Sequence, residues 1–152
     1  MHTPRSMTFF SATLAAPIMA LSMGSAFGQP TETAVMPDQI KWVTLPAVPG
    51  LKLSYLTGGT EKPGLYEVRV QLVAGATVPP HTHPDTRCVT VLSGELSAGT
   101  GETANMEQMK SFPPGSFHCV PAGTPHYVSA KKGDVVFQEG GIGPTGITFI
   151  KK

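Results

Sequence analysis

Seventeen glycines and fifteen prolines punctuate this 152-residue chain at short intervals, and that punctuation restricts its fold more than any other feature. Proline removes a backbone donor and clashes with the preceding helical turn, and glycine costs a helix about 1 kcal/mol relative to alanine. Past the N-terminal stretch no segment sustains a helical period. Between Gly58-Gly59, Pro63-Gly64, Pro79-Pro80, Ser93-Gly94, Pro113-Pro114-Gly115, Pro121-Ala122-Gly123 and Gly140-Gly141 lie short runs rich in apolar, β-branched and aromatic residues. Such runs read as strands. The expected strands are Lys41–Leu45, Leu51–Leu56, Leu65–Val73, Cys88–Leu92, Leu96–Ala98, Phe117–Val120, His126–Ala130, Val135–Glu139 and Ile147–Ile150. Residues 102–110 read either as a short helical turn or as a loop leading into a strand near Phe112. In Leu65–Val73, Tyr66, Val68, Val70 and Leu72 alternate with Glu67, Arg69 and Gln71, as a strand with one buried face requires. The fold class is therefore all-β, a sandwich or a barrel.

The N-terminal stretch obeys a different rule. Met1 to Arg5 brings positive charge, Phe9 to Met23 is almost wholly apolar or small, and Ala26-Phe27-Gly28 supplies small residues at a cleavage site. That order reads as a secretory signal peptide over residues 1–28, cut near Gly28/Gln29. As a retained membrane anchor the run is short and is broken by Pro17 and Gly24. The expected location is periplasmic or secreted, in a bacterium, with no stable membrane anchor after cleavage. The 124 residues that remain comprise a loose arm over residues 29–39, with Pro30 and Pro37, and a single domain over residues 40–152. Without Arg5 the basic and acidic residues balance at ten each. Nucleic acid or an anionic membrane surface would call for a basic excess, so neither is an expected partner. In an oxidising compartment Cys88 and Cys119 form either a disulfide or two separate buried thiols.

The chemistry lies in the histidines. His81 and His83 follow Pro79-Pro80 at a spacing of two, which on extended backbone points both imidazoles to one face. Neutral imidazole is a good ligand for first-row divalent metals. Read from Gly75, the chain runs Gly, five residues, His81-Thr82-His83, three residues, Arg87, six residues, Gly94. Further on it runs Gly115, five residues, Pro121-Ala122-Gly123, two residues, His126. Pro121 fixes φ and Gly123 permits a positive φ, so this second stretch is a tight turn that delivers His126 at the start of a strand. His118, within an expected strand, reads as a structural or surface histidine.

These two stretches closely resemble the paired motifs of the cupin superfamily. The resemblance implies a double-stranded β-helix, the jelly-roll barrel also called RmlC-like, with His81, His83 and His126 as ligands of one divalent metal ion: Fe, Mn, Ni, Cu or Zn. The chain departs from the pattern at two places. The superfamily's metal-binding Glu is replaced by Arg87, and the final Asn of the second motif by Ala130. Arg stays protonated and cannot ligate a metal. At about 5 Å and an effective dielectric near 20 it would repel a dication by about 6 to 7 kcal/mol. Arg87 must therefore turn away, pair with a carboxylate such as Asp85, or meet an anionic ligand shared with the metal. Cys88, out of register with the histidines, is expected to point to the opposite side. Gln138, on a late strand where many cupins line their pocket, is a further candidate contact for substrate. Cupins with three His and no carboxylate ligand include dioxygenases. The resemblance thus implies a metal-dependent, dioxygenase-like oxidoreductase acting on a small anionic substrate such as a carboxylate. The alternative is a non-catalytic module that binds a metal or a small molecule outside the cytoplasm. Dimers are common among relatives with this barrel, which makes a homodimer a candidate assembly.

Overall fold

The computed structural model describes residues 32–151, so the expected signal peptide and the start of the expected arm lie outside the described residues. Residues 32–36 have no regular structure, and Pro37–Gln39 form one 3-10 turn. Eleven strands follow: β1 Val43–Thr44, β2 Leu51–Thr57, β3 Gly64–Leu72, β4 Thr77–Thr82, β5 Arg87–Ser93, β6 Leu96–Thr100, β7 Lys110–Phe112, β8 Phe117–Val120, β9 His126–Ser129, β10 Val135–Gly143 and β11 Thr148–Phe149. They form two antiparallel sheets, one ordered β1-β2-β3-β10-β5-β8 and the other β11-β4-β9-β6-β7. This is an all-β jelly roll.

β3 shows why the sheets close over one core. Tyr66, Val68, Val70 and Leu72 are buried in strict alternation, while Glu67, Arg69 and Gln71 stay partly exposed on the other face. β10 pairs with β3 along its whole length, from Val135 opposite Leu72 to Gly143 opposite Gly64, and brings Val135 and Phe137 into the same core. Val78, Val91 and Leu96 complete the apolar interior from β4, β5 and β6.

Two elements differ from the sequence expectation. β4 runs through Pro79-Pro80, which reads as turn punctuation because proline cannot donate to a ladder. Its pairing with β9 shifts register between Val78 and His81, so the prolines sit at an irregularity. Gly140-Gly141 reads as a break but lies inside β10. A Cβ on Gly141 would stand 2.6 Å from Asp85 Oδ2 and 2.8 Å from the Tyr66 hydroxyl. That glycine makes room for side chains that cross the barrel, without ending the strand. Residues 102–109 contain turns and no helix, and lead into the short β7.

Cys88 and Cys119 face one another across β5 and β8 and form a disulfide, with their Cα atoms 4.0 Å apart. Among the described residues no helix is long and apolar enough to cross a membrane.

Candidate metal centre

His81 sits near the end of β4, His83 just beyond it, and His126 opens β9, where it stands opposite His81. The turn before His126 is tied to the first pair directly: the Gly123 amide donates to the His83 carbonyl at 2.8 Å, and Thr124 N donates to Pro121 O at 3.1 Å. Gly123 adopts φ +71°, the conformation for which the turn needs glycine. The three rings gather with centroids 4.2 to 5.1 Å apart. One candidate ligand atom from each lies within 4.8 Å of the other two.

The proton on each ring is fixed by its neighbour. His81 Nδ1 is 2.7 Å from Pro79 O, His83 Nδ1 is 2.5 Å from Gly146 O, and His126 Nδ1 is 2.9 Å from Thr124 O. A carbonyl oxygen only accepts, so every Nδ1 must carry the hydrogen and donate it. In the neutral ring Nε2 is then left with a bare lone pair, the tautomer that metal-bound histidines show. Burial keeps the rings neutral. It lowers His81 to about 4, with His126 adding to the shift, and His83 to about 3, with the Arg87 charge second. His126 is lowered for the same first reason. Three neutral imidazoles whose candidate ligand atoms lie this close together are a donor set that fits a first-row divalent ion.

Arg87 is buried beside this cluster and has found more partners than the sequence suggests. Nη1 donates to Glu139 Oε1 at 2.6 Å, and Nη2 donates to Thr145 Oγ1 at 2.8 Å and to Gly146 O at 3.2 Å. Asp85, the expected partner, is the more distant carboxylate, with Oδ1 4.0 Å from Nε. Asp85 is instead held by the Tyr66 hydroxyl at 2.5 Å and by Thr145 Oγ1. The guanidinium carbon also lies 5.6 Å from the centre of the Tyr66 ring. Burial raises the Glu139 carboxyl pKa, and the Arg87 charge opposes that rise. Burial and the bond to Asp85 raise the Tyr66 phenol.

Gln138 is a correction. Its side chain bonds to Arg69 and Glu67 beside the outer-face groove lined by Thr90 and Gly140, away from the histidines. Successive strand residues point to opposite faces, so the late-strand polar residue that faces the interior is its neighbour Glu139. Strand periodicity anchored on the buried Phe137 carries that signal. Cys88, as expected, points away from the cluster, towards the same outer groove as Gln138. His118 faces inward, stacks on Phe112 with centroids 4.3 Å apart, and lies outside the three-histidine group.

The histidines, Arg87 and Glu139 open onto a cavity of about 240 Å³ inside the barrel, walled largely by aliphatic side chains such as Leu53, Val70 and Val89. It has room for a small molecule.

The family of the cupin domain matches residues 68–138. No curated protein matches the chain by sequence. Among solved structures, the polyketide cyclase RemF from Streptomyces resistomycificus superposes with a TM-score of 0.66 at 16% identity, covering 80% of this chain and 87% of that one. An RmlC-like cupin from Shewanella frigidimarina gives 0.59 at 18% identity, covering 74% and 91%. The DMSP lyase DddQ from Ruegeria pomeroyi gives 0.59 at 18% identity, covering 74% and 63%. At these identities the likeness is one of fold.

Proposed function

This chain belongs to the cupin superfamily, and from that premise we propose that it is a metal-dependent enzyme holding one divalent ion with His81, His83 and His126. The observation that carries the reading is the set of three Nδ1-to-carbonyl bonds, which leaves Nε2 as the free donor of each ring in a cluster whose candidate ligand atoms lie within 4.8 Å of one another. When bound, such an ion would supply Lewis-acid polarisation of a substrate oxygen or, as iron, the oxygen chemistry of a dioxygenase-like oxidoreductase.

The chain's own groups narrow the substrate. Both terminal nitrogens of Arg87 have protein partners while its buried Nε has none among the described residues, and the adjacent Glu139 carboxylate already offsets the guanidinium charge that an anionic substrate would need. The substrate we propose is small and mostly apolar, with one oxygen-bearing end directed at the histidines. Glu139, whose pKa burial raises, is placed to take up or return a proton within the cavity. RemF and DddQ are named as enzymes, which is consistent with catalysis on this fold, although fold alone does not select a reaction. A setting outside the cytoplasm is part of the proposal, supported by the apolar N-terminal run and by the Cys88–Cys119 disulfide.

The test begins with the chain from Gln29 onward, purified without a metal-binding tag and measured for metal by mass spectrometry beside His83→Ala. The expected result is one equivalent of a divalent metal, lost in the variant. With metal loaded, small ketones, thiols and carboxylates are screened for turnover and for oxygen uptake. Oxygen consumption selects the dioxygenase-like branch, and turnover without it selects Lewis-acid chemistry. Thermal stabilisation by a small molecule with no turnover would support the non-catalytic binding module instead. Absence of metal after reconstitution would overturn the reading.

A further inference from the structure

His83 obtains its orientation differently from the other two histidines. His81 and His126 each donate Nδ1–H to a carbonyl two residues upstream, Pro79 O and Thr124 O, so local backbone sets their rings. His83 donates to Gly146 O, a carbonyl from the segment between β10 and β11 that is distant in sequence. Its tautomer therefore depends on where that segment is held.

Among the described residues, Arg87 is the one charged group that ties this segment at both Thr145 and Gly146. Nη2 reaches both Thr145 Oγ1 and the same Gly146 carbonyl that receives His83. Thr145 is anchored further by Asp85, which Tyr66 secures, and by its own amide, which donates to Thr60 O at 2.7 Å. Glu139 fixes the other end of the guanidinium. Arg87, Asp85 and Thr145 are all buried, so water does not replace these bonds when one is lost.

We propose that Arg87, at the position where the superfamily pattern has a metal-binding carboxylate, is a positioning residue that locks residues 145–146 so that Gly146 O presents His83 to the metal. The inference rests on the metal reading above. It also makes a prediction opposite in sign to simple electrostatics. As a bare charge near a dication, Arg87 weakens binding, and its removal would tighten it. As a positioning residue it supports binding, and its removal loosens it. Loss of an outer-layer partner of a metal-binding histidine typically costs about 10- to 100-fold in affinity.

The experiment compares the unaltered chain with Arg87→Met and with Thr145→Val. Thr145→Val removes the hydroxyl hook at Arg87 and Asp85 without changing any charge. Zn2+ and Co2+ are titrated by calorimetry, the cobalt visible spectrum is recorded for each form, and circular dichroism with a thermal melt checks folding. The expected result is affinity lowered about 10- to 100-fold in both variants, with an altered cobalt spectrum, in chains that still melt cooperatively. Tighter or unchanged binding by folded Arg87→Met would overturn the inference while leaving the metal site intact. If Arg87→Met does not fold, with Glu139 left unpaired, Thr145→Val decides alone: unchanged affinity and spectrum there would overturn it equally. Failure of the unaltered chain to take up either ion would overturn the metal reading and this inference with it.

Discussion

Arg87 and Gly141 are two residues whose meaning depends on what crosses the barrel to meet them. Gly141 lies on the inner face of β10, where an added Cβ would stand 2.6 Å from Asp85 Oδ2 and 2.7 Å from the Thr86 carbonyl. Neither atom is the end of a mobile side chain with somewhere to go, because Asp85 is pinned by Tyr66 and Thr145. Gly140, one residue away, would bring its Cβ only against the carboxylate end of Glu67 on the partly exposed face. Gly141→Ala is therefore expected to destabilise the domain by about 1 to 3 kcal/mol. Gly140→Ala is expected to come out near neutral, because the Glu67 side chain can swing aside. Urea unfolding of the two variants checks the contrast. Both glycines read as turn punctuation in the sequence, and nothing in their spacing distinguishes a strand end from a strand that must leave room. The same limit explains Gln138 and Glu139: periodicity of two identifies alternating faces, but choosing the wrong one of two neighbours inverts the assignment.

Among the elements, β8 shows what a short edge strand needs. It spans only Phe117–Val120, pairs with β5 on one side, and carries Phe117 well exposed. The Cys88–Cys119 disulfide fastens it to β5 across a sequence separation of 31. Closing a loop of that length is worth about 3.5 kcal/mol in the chain-entropy account. Replacing both cysteines with serine is expected to lower stability by about 2 to 4 kcal/mol, read as a fall in the urea midpoint. Zn2+ uptake should be retained, since neither cysteine belongs to the three-histidine group. Most strands were legible because their alternation is local: β3, β5 and β8 lie where apolar and β-branched periodicity puts them. β4 was not legible as a strand, because its Pro79-Pro80 imitates a turn and its pairing with β9 is irregular there. The existence of the disulfide was equally hidden, since register between two strands is a tertiary fact.

For the whole molecule, the jelly roll and the three-histidine cluster could be read from two short motifs, because each encodes a turn and a ligand at fixed spacing. The cavity's charge arrangement could not. The pairing of Arg87 with Glu139 and the reach of His83 to Gly146 join positions more than fifty residues apart, and sequence spacing says nothing of how a barrel closes. The proposed export belongs to this scale as well. Expressed with its natural N-terminus in a Gram-negative host, the protein is expected in the periplasmic fraction with Gln29 as its first residue, checked by N-terminal sequencing. An intact Met1 in the cytoplasmic fraction would sink that proposal.

The longest ladder in the domain joins β3 to β10, pairing Gly64–Leu72 with Val135–Gly143. Central pairing of such distant segments gives the fold a high contact order, which is associated with slow folding. During synthesis β3 can pair at once with β2, but its second partner, β10, begins more than sixty residues further on. The middle of this sheet is therefore completed only after β10 has been made. A chain destined to be threaded through a membrane before it folds would benefit from that delay.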